Sequence, residues 1–359
     1  MNKLINETDR RYLDALRGLS ILRVMLGHLG LLWFYPPHSW YLGALFPILF
    51  FVSGAVSYNS FLRTKDIWRY ALQRYIAIAV PFYTFMVLLI CVLYASNKSL
   101  LVLDDGPLRW AFMWPRWGLI EIPIGQIWFI NALFIMSAIS ILIFPLFRRF
   151  KHATIGTVST LFAINLVGDF LPVRETFIAS TEPVLGGYAT QAWVIATLIT
   201  FYFFGALFYS FGISDMHIKK MLSLIAVSGI AVIIVYPESP FFPPHVEIKS
   251  AYFVFVSLLA TLSVLALKPA YFALTRRVNI VERLFLYASK HSYAIFLLHT
   301  VVLYYIESAF NWHDLSQNTG LAIARLLLVS AITLLLAPLF TSLTNQIVKG
   351  LKAIIATTV

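Results

Sequence analysis

The sequence predicts an all-α, polytopic membrane protein with about ten transmembrane helices and both termini in the cytoplasm. Three observations carry this. Of 359 residues, 60% are hydrophobic and only 12% charged, with a mean hydropathy of +0.81, whereas a soluble domain carries about 25% charged residues. Apolar runs recur at about 20 residues, the length that crosses roughly 30 Å of hydrocarbon. Lysine and arginine are also spread unevenly among the connecting segments, as orientation in a membrane requires.

The runs fall near residues 13–34, 41–61, 76–95, 127–147, 153–171, 191–211, 219–236, 250–267, 289–308 and 319–345. Ten spans put both ends of the chain on one side. Nineteen of the 27 basic residues lie in the termini and the alternate loops on that side, against five in the other loops: Lys98, Arg109, Arg116, Arg174 and Lys249. Arg17, Arg23 and Arg325 remain inside spans and complete the total. The rich side is the cytoplasmic one, so the net charge of +11 reflects topology and gives no support to nucleic acid as a partner.

Residues 1–12 read as a cytoplasmic tail without the small-residue cleavage site of a signal peptide. Residues 98–126 form an outside loop with three tryptophans, read either as a re-entrant or interfacial element or as an aromatic belt. The outside segment "YPESPFFPPHVEIK" is too rich in proline for a helix. The single cysteine, Cys91, lies in an apolar run and is read as lipid-facing or packed; it admits no intramolecular disulfide. Residues 1–359 are therefore expected to form one transmembrane domain.

The first run holds the chemistry. At 100° per residue, Asp14, Arg17, Ile21, Val24 and His28 share one stripe. Arg17 and His28 lie about 20° apart around the axis and about 16 Å apart along it. Ionisable groups cost at least about 2.5 kcal/mol in mid-membrane and normally face a polar cavity or a partner. An Asp14–Arg17 pair at the interface, with His28 bonded to a neighbouring helix, explains the same pattern without function. Arg23 lies about 120–140° off the stripe and must address another neighbour.

The stretch "YLDALRGLSILRVMLGH" (12–28) resembles the first helix of the acyltransferase-3 family, whose signature is a basic residue and a histidine separated by ten residues, here Arg17 and His28. "LFFVSGAVS" (49–57), "QIWFINALFI" (126–135) and "SYAIFLLHTVVL" (292–303) are similar to three further motifs of that family, in its order along the chain. One departure stands out. In "LQRYIAIAVPFY" the family commonly has two arginines three residues apart, and here Arg74 is followed by Ala77; Arg69 lies about 140° from Arg74 around a helix.

The resemblance implies a multi-pass enzyme of the plasma membrane, the inner membrane of a bacterium. It would transfer an acyl group, usually acetyl, from cytoplasmic acyl-CoA to a hydroxyl of a cell-envelope glycan or its lipid-linked precursor. Acyl-CoA would be a substrate, with no permanently bound cofactor. On that basis Arg17, Arg74 and Arg69 are expected to hold the donor by guanidinium recognition of its phosphates or amides, and His28 to act as general base. Asp14 would orient Arg17. Direct attack and an acyl-histidine intermediate are both open at this point. Ser53, Trp128, Tyr293 and His299 form a second tier within the matching motifs, and Asn131 is a further polar candidate as oxyanion donor. Arg325 either snorkels or faces the cavity. His152, His217, His291, His38, His245 and His313 lie beside basic residues or outside and are read as mostly solvated. There is no HExxH motif, cysteine pair or glycine-rich phosphate loop to suggest a metal or nucleotide hydrolysis.

Intramembrane histidine and arginine also mark transport pathways. A proton-coupled secondary transporter and a catalytically idle scaffold are the alternatives, although no clear inverted repeat is evident.

Overall fold

In the computed structural model, the described residues are 4–31, 45–64, 66–100, 107–113, 122, 124–167, 173–185, 189–211, 218–235, 251–313 and 318–358. They contain helices and connections and no strand. The helices are α1 (Glu7–Leu26), α2 (Pro47–Arg63), α3 (Ile67–Ala95), α4 (Pro107–Ala111), α5 (Trp128–Arg149), α6 (Lys151–Val167), α7 (Val173–Leu185), α8 (Ala189–Ser210), α9 (Ile218–Val235), α10 (Ala251–Ala266), α11 (Lys268–Arg277), α12 (Asn279–Lys290), α13 (Ser292–Phe310) and α14 (Thr319–Thr358). A π-helical turn, Gly27–Leu31, extends α1, and a 3-10 turn, Gly125–Ile127, leads into α5.

Among the described residues, five segments are long and apolar enough to cross a membrane: Ile67–Ala95, Gly125–Arg149, Ala192–Ser210, Ser292–Phe310 and Thr319–Ala353. Phe253–Ala266 and Lys268–Arg277 make a sixth if that pair, bent by 51°, is one broken span. Other expected runs also become helices. However, α1 carries seven charged side chains, and α2 and α6 have only 17 residues each. The last helix runs beyond the expected 345; at 1.5 Å per residue its 40 residues extend about 60 Å, well past a hydrocarbon core. The proline-rich segment 236–249 lies outside the described residues.

The chain forms two compact units. The first comprises Met1–Arg23, Tyr35–Lys65 and Leu142–Ser289. Its densest packing joins α2 to α8, and glycines permit it. A Cβ at Gly54 would stand 1.7 Å from the backbone oxygen of Tyr202, and one at Gly205 would stand 1.9 Å from that of Phe51. Small residues let two backbones touch where apolar driving force between helices is weak. Around this crossing Phe51 meets Phe208 edge to face at 5.6 Å, and Tyr58 meets Phe144 at 4.9 Å. Leu13 and Leu16 of α1 and Leu262 of α10 complete the same core.

The second unit comprises Val24–Phe34, Asp66–Ile141 and Lys290–Val359. Asp66 caps α3, its carboxylate accepting from the backbone N–H groups of Trp68 and Arg69 at 3.0 and 3.3 Å. Two bonds anchor the described part of the aromatic-rich segment. The Tyr83 hydroxyl donates to the Trp110 carbonyl at 2.8 Å, and the Asn131 amide donates to that of Phe112 at 2.9 Å. Helix α13 ends at Asn311 in the left-handed region (φ 55°), and α14 packs back against it. Cys91 is exposed on α3, as a lipid-facing residue would be.

Gly54→Ala is expected to cost about 1–3 kcal/mol or more, because the new methyl group can only be accommodated by parting α2 from α8. Gly229→Ala on α9, where a Cβ meets nothing within 4 Å, should leave stability unchanged or slightly raised. Thermal unfolding of the two variants in the same detergent compares them.

Candidate functional site

In the first unit, the N-terminal half of α1 is fastened by paired charges and one backbone contact. Asp9, 2% exposed, pairs with Lys268. Arg11 makes a two-pronged bond to the buried carboxylate of Glu282, with both N···O distances 2.6 Å. That bond and the adjacent negative charge raise the Arg11 pKa further. The Tyr12 hydroxyl donates to the Val264 carbonyl, and burial pushes its pKa up. Nearly two turns beyond, a Cβ at Gly18 would lie 1.8 Å from the Phe285 oxygen, so the backbone next to Arg17 lies directly on α12.

This anchoring sets the stage for Asp14. Its carboxylate lies between two arginines of its own helix: Oδ2 is 3.2 Å from Arg10 Nε, and Oδ1 is 3.6 Å from Arg17 Nη1. Asp14 therefore touches Arg17, as the spacing suggested, and shares its charge with Arg10, which the sequence reading missed. Ile21 is 3% exposed, so the stripe is packed there and does not line an open polar cavity along its length. Ser53 is half-buried on α2 of this unit.

In the second unit His28 lies in the π turn, a widened geometry often found at functional positions. Its Nδ1 is 2.7 Å from Nε2 of His299, which is completely buried on α13. The ring centroids are 5.0 Å apart and the planes differ by 16°. An imidazole nitrogen lies about 1.1 Å from its ring centre, so the two nitrogens stand almost on the line between centroids, as a straight hydrogen bond requires. The rings thus meet edge to edge and nearly coplanar; they are not stacked face to face. His28 itself remains accessible.

The neighbourhood of His299 is pinned on three sides. Its Nδ1 is 2.9 Å from the Ile295 carbonyl. Phe296 packs on Phe129 at 4.7 Å. The Gln126 amide, from the 3-10 turn, donates to the Thr300 hydroxyl. Farther along α13, Glu307 pairs with Arg325 of α14, which is 2% exposed and also donates to the Trp312 carbonyl at 2.9 Å. Arg325 therefore neither snorkels nor faces a cavity.

The remaining expected residues are distributed as follows. Arg74 is half-buried on α3, its Nε without a hydrogen-bond partner among the described residues, and Arg69 is exposed in the first turn of the same helix. Ala77, which stands where the family's second arginine would, is exposed. Trp128 opens α5 and Tyr293 lies in the first turn of α13, both half-buried. Asn131 is committed to the Phe112 carbonyl and serves as a brace. His291 departs from the solvated reading: it is 6% exposed and bonds the Thr341 hydroxyl at 2.9 Å. His38, His217 and His245 lie outside the described residues. The contribution of Gln126 was legible only as its place in a motif.

Apolar helices long enough to cross a membrane define the class, a helical integral membrane protein, and the His28–His299 contact is its most unusual polar feature. A family model described as an acyltransferase domain matches residues 10–342, nearly the whole chain. The chain belongs to that family, acyltransferase-3, which supports a multi-pass membrane acyltransferase. No curated protein matches it.

Arg325→Met is expected to cost about 3–5 kcal/mol by leaving Glu307 without its counter-charge, and the double variant Arg325→Met/Glu307→Leu to regain most of that loss. A double-mutant cycle on unfolding in detergent measures the coupling.

Proposed function

We propose that this chain transfers an acetyl group from cytoplasmic acetyl-CoA to a hydroxyl of a cell-envelope glycan or its lipid-linked precursor. It would do so from the plasma membrane, with ten spans and cytoplasmic termini. The two substrates start on opposite sides of the bilayer, and a spanning protein lets the thin pantetheine arm reach inward while the phosphates stay at the basic face. Residues that retained ionisable character inside apolar helices are the ones such a path needs.

The observation that carries this reading is the contact between His28, the histidine of the first motif, and His299, the histidine of the last. Two residues 271 apart in sequence converge on one hydrogen bond, within a chain whose family transfers acyl groups. His28 takes the proton of the acceptor hydroxyl as its oxygen attacks the thioester carbon. The carbon–sulfur bond then breaks, and the departing thiolate recovers that proton from the imidazolium. General-base help of this kind is worth about 10²–10⁴-fold in rate. Arg17, Arg74 and Arg69 are assigned to the donor, with Asp14 holding Arg17.

Acetyl-CoA should raise the melting temperature of the purified protein saturably, since a ligand bound only by the folded state stabilises it by RT ln(1 + [L]/Kd). Arg17→Ala should reduce that shift. No stabilisation of the wild type at millimolar acetyl-CoA rejects the donor assignment.

His28→Ala should keep the acetyl-CoA melting shift while losing transfer of radiolabelled acetyl into the glycan of native membranes by about 10²-fold or more. Transfer at the wild-type rate rejects His28 as the base.

A further inference from the structure

We propose that His299 is a positioning residue that fixes the tautomer of His28, placing the basic lone pair of His28 on Nε2. The inference rests on the reading of His28 as general base, and its evidence is the direction of two consecutive hydrogen bonds.

A carbonyl oxygen can only accept, so the 2.9 Å contact between His299 Nδ1 and the Ile295 oxygen requires the proton to be on Nδ1. A neutral imidazole has one N–H and one lone pair, so Nε2 of His299 must then accept. The 2.7 Å contact consequently has His28 Nδ1–H as its donor. With its proton on Nδ1, His28 carries its lone pair on Nε2. A charged His299 would reverse the second bond, but that ring is completely buried between the Ile295 carbonyl, His28 and, at 6.1 Å, the ring of Phe296. A cation there would lack, among the described residues, the counter-charge that burial demands.

The straightness of the contact matters as much as its direction. Centroids 5.0 Å apart across a 2.7 Å bond leave almost no lateral offset, so the lone pair of His299 points along the His28 N–H. The Gln126–Thr300 bond and the Phe129–Phe296 contact hold α13 on both sides of His299, so its ring is an external reference for that of His28. When His28 takes the hydroxyl proton on Nε2, both its nitrogens become donors, and the Nδ1–H···Nε2 bond strengthens as the charge develops. His299 neither gains nor loses a proton. This is the orienting duty that a carboxylate performs in a Ser-His-Asp triad. A neutral imidazole does it without placing a permanent anion in hydrocarbon.

The test uses the full chain labelled with 15N-histidine in lipid nanodiscs, with the His28 resonances identified by their loss in His28→Gln. The wild type should show His28 protonated at Nδ1 and bare at Nε2, with a coupling across the bond to His299 Nε2. His299→Leu should let His28 revert largely to the Nε2–H form. In native membranes with radiolabelled acetyl-CoA, the same variant should lose about 10²–10⁴-fold in kcat with KM for acetyl-CoA changed by less than about threefold. His299→Gln, whose side-chain oxygen can accept at about the place of Nε2, should keep the Nδ1–H pattern and recover kcat to within about tenfold of wild type. An Nε2–H signature for His28 in the wild type overturns the proposal, as does His299→Leu retaining both tautomer and kcat. Should His299→Leu fail to fold, the wild-type and Gln spectra decide alone. Full transfer by His28→Gln would remove the base assignment, while the spectra would still decide whether His299 sets the tautomer.

Discussion

A charge or an open hydrogen-bonding group buried in this fold finds no water there, and much of the structure follows from that single constraint. A polar side chain drawn into the fold must find its partner within the protein. In the first unit Asp9 meets Lys268 and Glu282 meets Arg11. In the second, Arg325 meets Glu307 and His299 meets both a carbonyl and His28. These pairings answer desolvation rather than add stability, since burying an ion pair about breaks even against apolar packing. What they supply is register: each fixes one helix against another at a defined height.

The apolar surfaces solve a different problem. Between helices in lipid, association depends on close contact and not on escape from water. Gly54 and Gly205 supply that contact for α2 and α8, and Gly18 does so for α1 on α12. The last case ties packing to chemistry, because the residue beside Gly18 is Arg17, whose guanidinium faces Asp14. A helix pressed backbone to backbone on its neighbour cannot rotate, so its charged face is set by its glycine face.

The imidazole pair joins the two themes. Its direction is set by one helical carbonyl, its straightness by packing around Thr300 and Phe296, and its accessibility by the π turn that carries His28. A carboxylate would orient an imidazole more strongly. In an apolar span it would also need its own counter-ion, and a second histidine avoids that need while keeping a directional acceptor.

Composition and periodicity, by themselves, made the helical membrane class legible, because a 20-residue apolar length and loop charge bias are local properties of the chain. The Asp14–Arg17 pair was equally readable, since helical rise and rotation fix intrahelical neighbours. Only the tertiary structure decided what lay across the sequence. It bonded His299 to His28, committed Asn131 to a loop carbonyl, buried His291 against Thr341 and turned Arg325 toward Glu307. No local pattern encodes such contacts, because a polar residue on an apolar helix states only that a partner is required, and the partner's identity depends on which helices pack together and at what height.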